Sequence, residues 1–175
     1  MDAKLRYVDP VRPLGVFARC YAAFAATRFA RFISRHISWK IDPFLLRVTR
    51  GRLASTLVFP TAVLETAGAR SGARRYNAII YFHDGDRVTI VASNAGHSRH
   101  PAWYHNLRAD PDVTFGGIPM RATVVNDEAE RDRLWLLADG VFPTFRNYRQ
   151  EAARMKRTIP IVQLAHRQAD VVGER

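Results

Sequence analysis

The chain has 175 residues, which is enough for one well-packed core, and its 47% hydrophobic and 11% aromatic content excludes a largely disordered protein. Its net charge of +11 is uneven, because residues 1–56 hold eleven Lys/Arg and three acidic residues and so carry +8 of the total. A basic segment of this kind suits anionic lipid, nucleic acid or an anionic ligand, and is equally compatible with a solvated face. The single cysteine, Cys20, excludes an intramolecular disulfide and is typical of a reducing compartment.

The first predicted element is a helix over residues 14–39, a stretch without proline. Arg28, Arg31 and Arg35 recur at helical spacing and share one face, so the helix is basic and amphipathic. Such a helix is typical of peripheral membrane contact, and equally of a helix packed on its own domain with solvated arginines. The apolar run 14–26 is too short to span a bilayer. We therefore expect a cytoplasmic protein, which in the first case lies on the inner face of the plasma membrane.

A second short helix is predicted over residues 42–50, where Asp42 and Pro43 form a helix-start signature. Beyond it the residue pattern changes from helical to strand-like. We therefore divide the chain into a basic helical arm, residues 1–41, and a folded domain, residues 42–175.

Short segments rich in Val, Ile, Thr and aromatic residues predict strands in the domain. The predicted strands are 57–66, 75–82, 87–93, 112–115, 120–125 and 159–164, and the predicted helices are 101–108, 126–139 (capped by Asn126) and 147–157. Hairpin-length turns such as HDGD at 83–86 favour antiparallel pairing. The predicted fold is mainly β with flanking helices (α+β), a small closed or split β-barrel with the helices outside it.

The turn GARSGARR, residues 68–75, lies between the first two predicted strands. Two glycines permit a tight turn, and Arg70, Ser71, Arg74 and Arg75 supply donors that suit a phosphate or a carboxylate. The segment matches neither the Walker A nor the dinucleotide GxGxxG pattern. An ordinary basic hairpin turn is the alternative interpretation.

A second polar segment, SNAG at residues 93–96, follows the third predicted strand and could hydrogen-bond the edge of a heterocycle. Trp103 follows on a short helix; it could flank a flat ring, although its spacing favours the core. The histidines at 97, 100 and 105 have no cysteine or carboxylate cluster beside them, so we expect no metal. No nucleophile motif is present, which favours a cofactor that carries the chemistry itself.

Four segments together resemble the deazaflavin-dependent nitroreductase family: LETAGARSGARRYNAIIYFHDGDRVTIVASNAG, HPAWYHNLRADPDV, FPTFRNYR and TIPIVQL. The resemblance covers about residues 42–164, and HPAWYHNLRADPDV is its most specific part. It implies a split β-barrel like that of FMN-binding proteins and the use of coenzyme F420, an 8-hydroxy-5-deazaflavin with a phosphate and an oligoglutamate tail. The implied activity is hydride transfer from C5 of the reduced cofactor to a quinone, a nitroaromatic or an activated alkene. Many members associate with membranes through the N-terminal segment.

By motif position, the resemblance implies that Arg70, Ser71 and Arg75 hold the phosphate and the tail. The residues that it places along the deazaflavin ring are Asn77, Ser93, Asn94, Ala95, Gly96, Trp103 and Asn106.

This chain departs from the family pattern at several positions. Ala69 and Asn94 stand where the family often has a basic residue, which weakens the anion site. In the segment FPTFRNY, Phe142 and Phe145 stand where nitroreducing members of the family have pocket tyrosines, whereas Tyr148 keeps a hydroxyl. The more apolar pocket favours a quinone or another lipophilic acceptor over a nitroaromatic. Tyr148 is the candidate catalytic proton donor, with solvent as the alternative.

Two other functions compete with this interpretation. The first is the same fold with FMN, because a basic cradle does not distinguish one phosphate from a phosphate with glutamates. The second is a non-enzymatic module that binds cofactor or lipid. Nucleic acid is not an expected partner, since no known binding motif appears and the aromatics are not interleaved with the basic cluster.

Overall fold

The computed structural model describes residues 5–12, 15 and 59–167. Outside these residues lie the predicted helix over 42–50, the predicted helix over 14–39 apart from Gly15, and the predicted boundary between the arm (1–41) and the domain (42–175). Both helices and the boundary stay predictions.

The described part of the chain forms a closed antiparallel β-barrel of six strands. The strands are β1 (Thr61–Ala67), β2 (Arg74–Asp84), β3 (Arg87–Val91), β4 (Asp112–Phe115), β5 (Ile118–Val124) and β6 (Ile161–His166). They follow the order β1-β2-β3-β6-β5-β4, and β4 returns to β1 with Leu64 opposite Phe115. The predicted barrel of hairpin-linked strands is confirmed.

The barrel interior is filled by alternate residues of each strand. In β1, Ala62, Leu64 and Thr66 are buried while their neighbours are partly exposed, as the two-residue period of a strand requires. Leu64 packs with Ile90 and Phe115, which are also fully buried. Each such side chain contributes about 1.5–3 kcal/mol by leaving water.

Three helices and one short turn flank the barrel in the described residues. They are the 3-10 turn Asn94–Gly96 and the helices α1 (Ala102–Ala109), α2 (Glu128–Val141) and α3 (Phe145–Arg154). Helix α1 adds Trp103, Tyr104 and Leu107 to the barrel core. Helices α2 and α3 build a second core against Phe82 and Ile161, outside the barrel. No helix among the described residues is long and apolar enough to cross a bilayer.

Several helix ends differ from the sequence prediction by one to three residues, and two of these differences have an identifiable cause. The cap of α2 is Asp127 and not Asn126, because the Asp127 carboxylate accepts a hydrogen bond from Glu130 N at 2.8 Å. Adjacent Asn and Asp are equally good caps, so sequence alone does not choose between them. Helix α3 ends at Arg154 and not at residue 157, because Lys156 has a positive φ of 54° that no helix contains.

The N-terminal residues 5–12 lie against the barrel. Val8 N donates to His83 Nδ1 at 3.0 Å, and His83 N donates to the Val8 carbonyl at 2.9 Å. The Tyr81 hydroxyl donates to the Arg6 carbonyl at 2.9 Å. This segment is therefore attached to β2 by main-chain and side-chain hydrogen bonds.

Candidate functional site

The basic turn between β1 and β2 is closed by its own backbone. Gly68 N donates to the Ala73 carbonyl at 2.8 Å, and Gly72 N donates to the Gly68 carbonyl at 2.7 Å. Gly72 has a φ of +65°, which glycine adopts without strain. Ser71 Oγ accepts from Ala73 N at 3.3 Å, so the predicted anion-binding serine also shapes the turn. The turn is thus held in shape by hydrogen bonds of its own.

The three arginines after Ala69 differ in what they contact. Arg74 is committed to the Glu65 carboxylate. Among the described residues, no carboxylate pairs with Arg70 or Arg75. Both are exposed, and they therefore remain available to an anion.

Strand register decides which way β2 presents its polar side chains. Arg75 is opposite Thr66 and Asn77 is opposite Leu64, whose side chain is fully buried inside the barrel. Directly opposed residues of an antiparallel pair point to the same face of the sheet. Arg75 and Asn77 therefore lie on the inner face of β2, on the side to which Thr66 points.

The region beside Asn77 is left open by strand pairing. Strand β3 pairs with residues 81–84 of β2, whereas residues 74–80 of β2 pair with β1. The chain leaves β3 at Val91, opposite the start of that uncovered edge, and continues as residues 92–96. The basic turn, the inner face of β2 and this loop consequently border one region at one end of the barrel.

Asn106 joins α1 to the basic turn. Its Oδ1 accepts from Ala69 N at 3.1 Å, and its Nδ2 donates to Thr66 Oγ1 at 3.0 Å. The side chain is only 8% exposed. Sequence reasoning places Asn106 along a cofactor ring; the structure uses both ends of its amide to hold the turn. Asn106 therefore borders the candidate site, and its hydrogen bonds are those of a residue that orients the basic turn.

The loop after β3 has an unusual backbone. Ser93 is in the right-handed helical region, and the next three residues have positive φ: 47° at Asn94, 50° at Ala95 and 78° at Gly96. Positive φ at a non-glycine residue is costly and is concentrated at functional sites. Asn94 Nδ2 donates to the Arg99 carbonyl at 2.8 Å, which holds the loop in part.

Helix α3 packs against this loop. A Cβ placed on Gly96 would lie 3.1 Å from the Tyr148 carbonyl oxygen and 3.1 Å from Glu151 Oε2. That distance is shorter than an ordinary Cβ contact, and together with the φ of +78° it favours glycine at this position. Ala95 packs against the second core, to which Tyr148 belongs. The predicted cofactor loop and the predicted substrate segment are therefore brought together.

The aromatic side chains of the predicted pocket are buried. Phe142, Phe145 and Tyr148 are 6%, 4% and 8% exposed, and Phe142 packs edge-on to Phe145 with ring centroids 5.0 Å apart. Trp103 lies in the barrel core, so the core interpretation of its spacing holds. The two phenylalanines thus pack between the helices and the barrel. Tyr148 lies where this packed region contacts the 92–96 loop.

Arg157 is a buried residue that sequence reasoning missed. Its Nη1 donates to the carbonyls of Ser93, at 3.0 Å, and of His97, and its Nη2 donates to the Ala92 carbonyl at 2.5 Å. Its Nε donates to His100 Nδ1 at 3.1 Å. Burial lowers the pKa of the guanidinium. A single arginine before an apolar strand gives no sequence signal of burial.

His100 must be neutral at Nδ1 to accept from Arg157. Burial, first of all, and then the charges of Arg157, His105 and Arg108 lower the pKa of His100. Its hydrogen bond to Arg157 gives it a structural role. Within the residues described, no group of three His, Cys, Asp or Glu side chains could hold a metal ion.

The geometry combines an exposed pair of guanidiniums, an inward-facing amide and a glycine-containing loop with strained backbone. That set fits an elongated anion attached to a flat polar ring. The model of the F420H(2)-dependent quinone reductase family matches residues 41–166. The chain belongs to this family. It is an F420-dependent oxidoreductase, which confirms the resemblance, the activity class and the cofactor predicted from the sequence.

Individual relatives agree with the family assignment. An F420H(2)-dependent quinone reductase of Mycobacterium tuberculosis strain H37Rv is 32% identical over 149 residues, which cover 79% of this chain and 98% of the relative. A solved F420-H2 dependent reductase (FDR-A) is 30% identical with a TM-score of 0.52, covering 60% of this chain and 93% of that one. A solved domain-swapped dimer is 26% identical with a TM-score of 0.54, covering 71% and 96%.

Proposed function

We propose that this protein transfers hydride from reduced coenzyme F420 to a quinone-like lipophilic acceptor, at the end of the barrel bordered by the basic turn and the 92–96 loop. The observation that carries this proposal is the pair of exposed guanidiniums of Arg70 and Arg75, which no carboxylate of the described chain neutralises. The deazaflavin ring supplies the hydride when bound; the protein binds, orients and excludes water.

Arg70 and Arg75 would hold the phosphate and the first carboxylates of the tail through charge-assisted hydrogen bonds. The Ser71 hydroxyl would add a donor while its lone pairs keep the contact to Ala73 N. Arg74 is a weaker candidate because it is already paired with Glu65.

The ring would lie between the inner face of β2 and the loop after β3. Asn77 offers both donor and acceptor at that face. Ser93, Asn94, Ala95 and Gly96 would present main-chain groups and short side chains to the ring, and the close packing of Gly96 against α3 would hold them in place. Trp103 and Asn106 would hold this side of the ring site in place, Trp103 by packing in the barrel core and Asn106 by its hydrogen bond to the basic turn.

The acceptor would approach from the side of α3. Phe142 and Phe145 leave few polar groups there, which favours a quinone over a nitroaromatic. Reduction of a quinone to a hydroquinone consumes one hydride and one proton, or the hydride alone if the monoanion leaves. Tyr148 is the candidate donor of that proton, and solvent is the alternative.

The N-terminal arm supports a further, separate proposal about location. We propose that residues 14–39 hold the enzyme peripherally on the inner face of the plasma membrane, within the cytoplasm, where lipophilic quinones reside. The support is the charge of residues 1–56 and the basic face of the predicted helix. Replacement of Arg28, Arg31 and Arg35 by glutamine should abolish salt-dependent sedimentation with anionic liposomes; unchanged sedimentation would contradict this.

Arg75→Ala tests the cofactor site, with Arg74→Ala as its matched control. Loss of a charge-assisted bond should weaken F420 binding by about 1–3 kcal/mol, or roughly fivefold to 150-fold. The Arg74 variant should bind nearly as the native protein does, because that guanidinium already serves Glu65. Equal dissociation constants for the Arg75 variant and the native protein would refute the assignment. Fluorescence titration measures both.

A further inference from the structure

Among the described residues, Arg157 has four hydrogen-bond acceptors and no carboxylate partner. The described residues give it the carbonyls of Ala92, Ser93 and His97 and the imidazole of His100, and the side chain is 8% exposed. A buried cation without a counter-ion is expensive unless each of its donors is satisfied. An apolar residue would fill this space at lower cost if packing were its purpose. The arrangement therefore points to a task that needs several donors at fixed angles.

We propose that Arg157 is a positioning residue that holds the 92–97 loop in its cofactor-binding shape. This inference rests on the proposed site. The three carbonyls bracket the residues with positive φ: Ala92 and Ser93 precede Asn94, and His97 follows Gly96. One guanidinium thus fixes both ends of the strained segment. Its planar fork suits this task, which a lysine ammonium cannot reproduce.

The position of Arg157 in the chain makes it a link between α3 and the loop. Arg157 N donates to the Ala152 carbonyl at 2.9 Å, directly after the positive φ of Lys156. The base of Arg157 is therefore anchored to the last turn of α3. The same helix packs against Gly96 through the Tyr148 carbonyl. The loop is therefore held at two places: the Arg157 guanidinium binds its carbonyls, and the Tyr148 carbonyl of α3 packs against Gly96.

His100 gives this arrangement a measurable signature. The Arg157 Nε contact needs a lone pair on His100 Nδ1, so protonation there replaces attraction with repulsion. The groups that face His100 are Arg157, His105 and Arg108, together with the Tyr104 ring at 5.0 Å. All three charged or titratable neighbours disfavour the imidazolium. The loop should therefore stay ordered at neutral pH and loosen in acid.

The decisive experiment is amide hydrogen exchange of the full-length, cofactor-free protein, with F420 affinity measured in parallel. Arg157→Met and Arg157→Lys should speed exchange in residues 92–100 by about tenfold or more, while β4 and β5 exchange at the native rate. Both variants should weaken F420 binding by about tenfold to hundredfold. Arg154→Met, an exposed arginine of the same helix end, is the control and should change neither. If the methionine variant does not fold, the lysine variant carries the test.

Native exchange in residues 92–100 together with native F420 affinity in the lysine variant would overturn the proposal. Exchange that rises equally throughout the barrel would also overturn it, because that result assigns Arg157 to general stability. A native protein that fails to bind F420 would refute the proposed site, and the exchange result would still decide whether Arg157 holds the loop. Loosening of the loop in acid should weaken F420 binding there. His100→Asn, which keeps an acceptor near Nδ1, should remove this loss of affinity; a persistent loss would exclude the Arg157–His100 contact as its cause.

Discussion

The Asn106 carboxamide connects α1 to the basic turn, because its Oδ1 accepts from Ala69 N at 3.1 Å while its Nδ2 donates to Thr66. Neither contact is visible in the local sequence, since 37 residues separate Asn106 from Ala69. The pair fixes where the turn presents Arg70 and Arg75.

Asn106→Leu should therefore affect stability and cofactor binding together. Loss of one buried and one partly buried hydrogen bond, with Thr66 and Ala69 N left without these partners, should lower the free energy of unfolding by about 1–3 kcal/mol. Urea denaturation measures this, and F420 titration should show weaker binding. His105→Leu, its exposed neighbour, is the control. Unaltered stability in the Asn106 variant would contradict the anchoring role.

Gly96→Ala should cost more than Gly85→Ala. Both glycines have positive φ, at 78° and 62°, so both variants pay for backbone strain of about 1 kcal/mol. A Cβ on Gly85 meets no atom within 4 Å, whereas one on Gly96 would press on the Tyr148 carbonyl and Glu151. Urea denaturation of both variants isolates this packing difference. F420 affinity should fall in the Gly96 variant alone, and equal effects would show that α3 does not constrain the loop.

The contact between Val8 and His83 should make the N-terminal segment sensitive to pH. Burial lowers the pKa of His83 from its ordinary value of 6.5, and Val8 N needs an unprotonated Nδ1. The stabilisation is complete above the unfolded pKa of 6.5 and is lost as pH falls from there toward the lower folded value. Amide exchange at Val8 should rise across this window. In His83→Asn the dependence should disappear; if it persists, another group is responsible.

Tyr148→Phe should lower turnover with a quinone more than it lowers affinity for the cofactor. A residue that donates a proton in the transition state affects kcat, while ground-state binding is largely unchanged. Phe145→Leu, in the same aromatic cluster, is the packing control. Equal kcat in the native protein and the Tyr148 variant would leave solvent as the proton source.

The barrel could be predicted because the patterns that mark its strands and turns lie within short stretches of the sequence. Strand β1 alternates buried and partly exposed residues, and HDGD marks the turn between β2 and β3. The basic turn was predictable for the same reason, since its glycines and arginines are adjacent in sequence. Arg157 was not, because its partners lie between 57 and 65 residues away. The distinct contacts of Arg70, Arg74 and Arg75 also depend on register, which the residue types alone do not reveal.

The aromatic segment shows a different limit. Phe142, Phe145 and Tyr148 recur every three residues, a spacing that serves a substrate pocket and a helix core equally well. In the structure they pack with Phe59 and Ile161, so the same side chains are part of the second core. Whether Tyr148 also meets the acceptor stays a prediction, and its variant decides it.

The most direct test of the account is a fluorescence titration of the purified protein with F420 and, separately, with FMN. Reduced F420 and a soluble menaquinone analogue are then added to the same protein. We predict tight binding of F420, weaker binding of FMN and reoxidation of reduced F420 that requires both enzyme and quinone. Absence of F420 binding, or binding without quinone-dependent reoxidation, would contradict the proposed reaction. In that case Ala69 and Asn94, where the family often has basic residues, would be the first positions to restore.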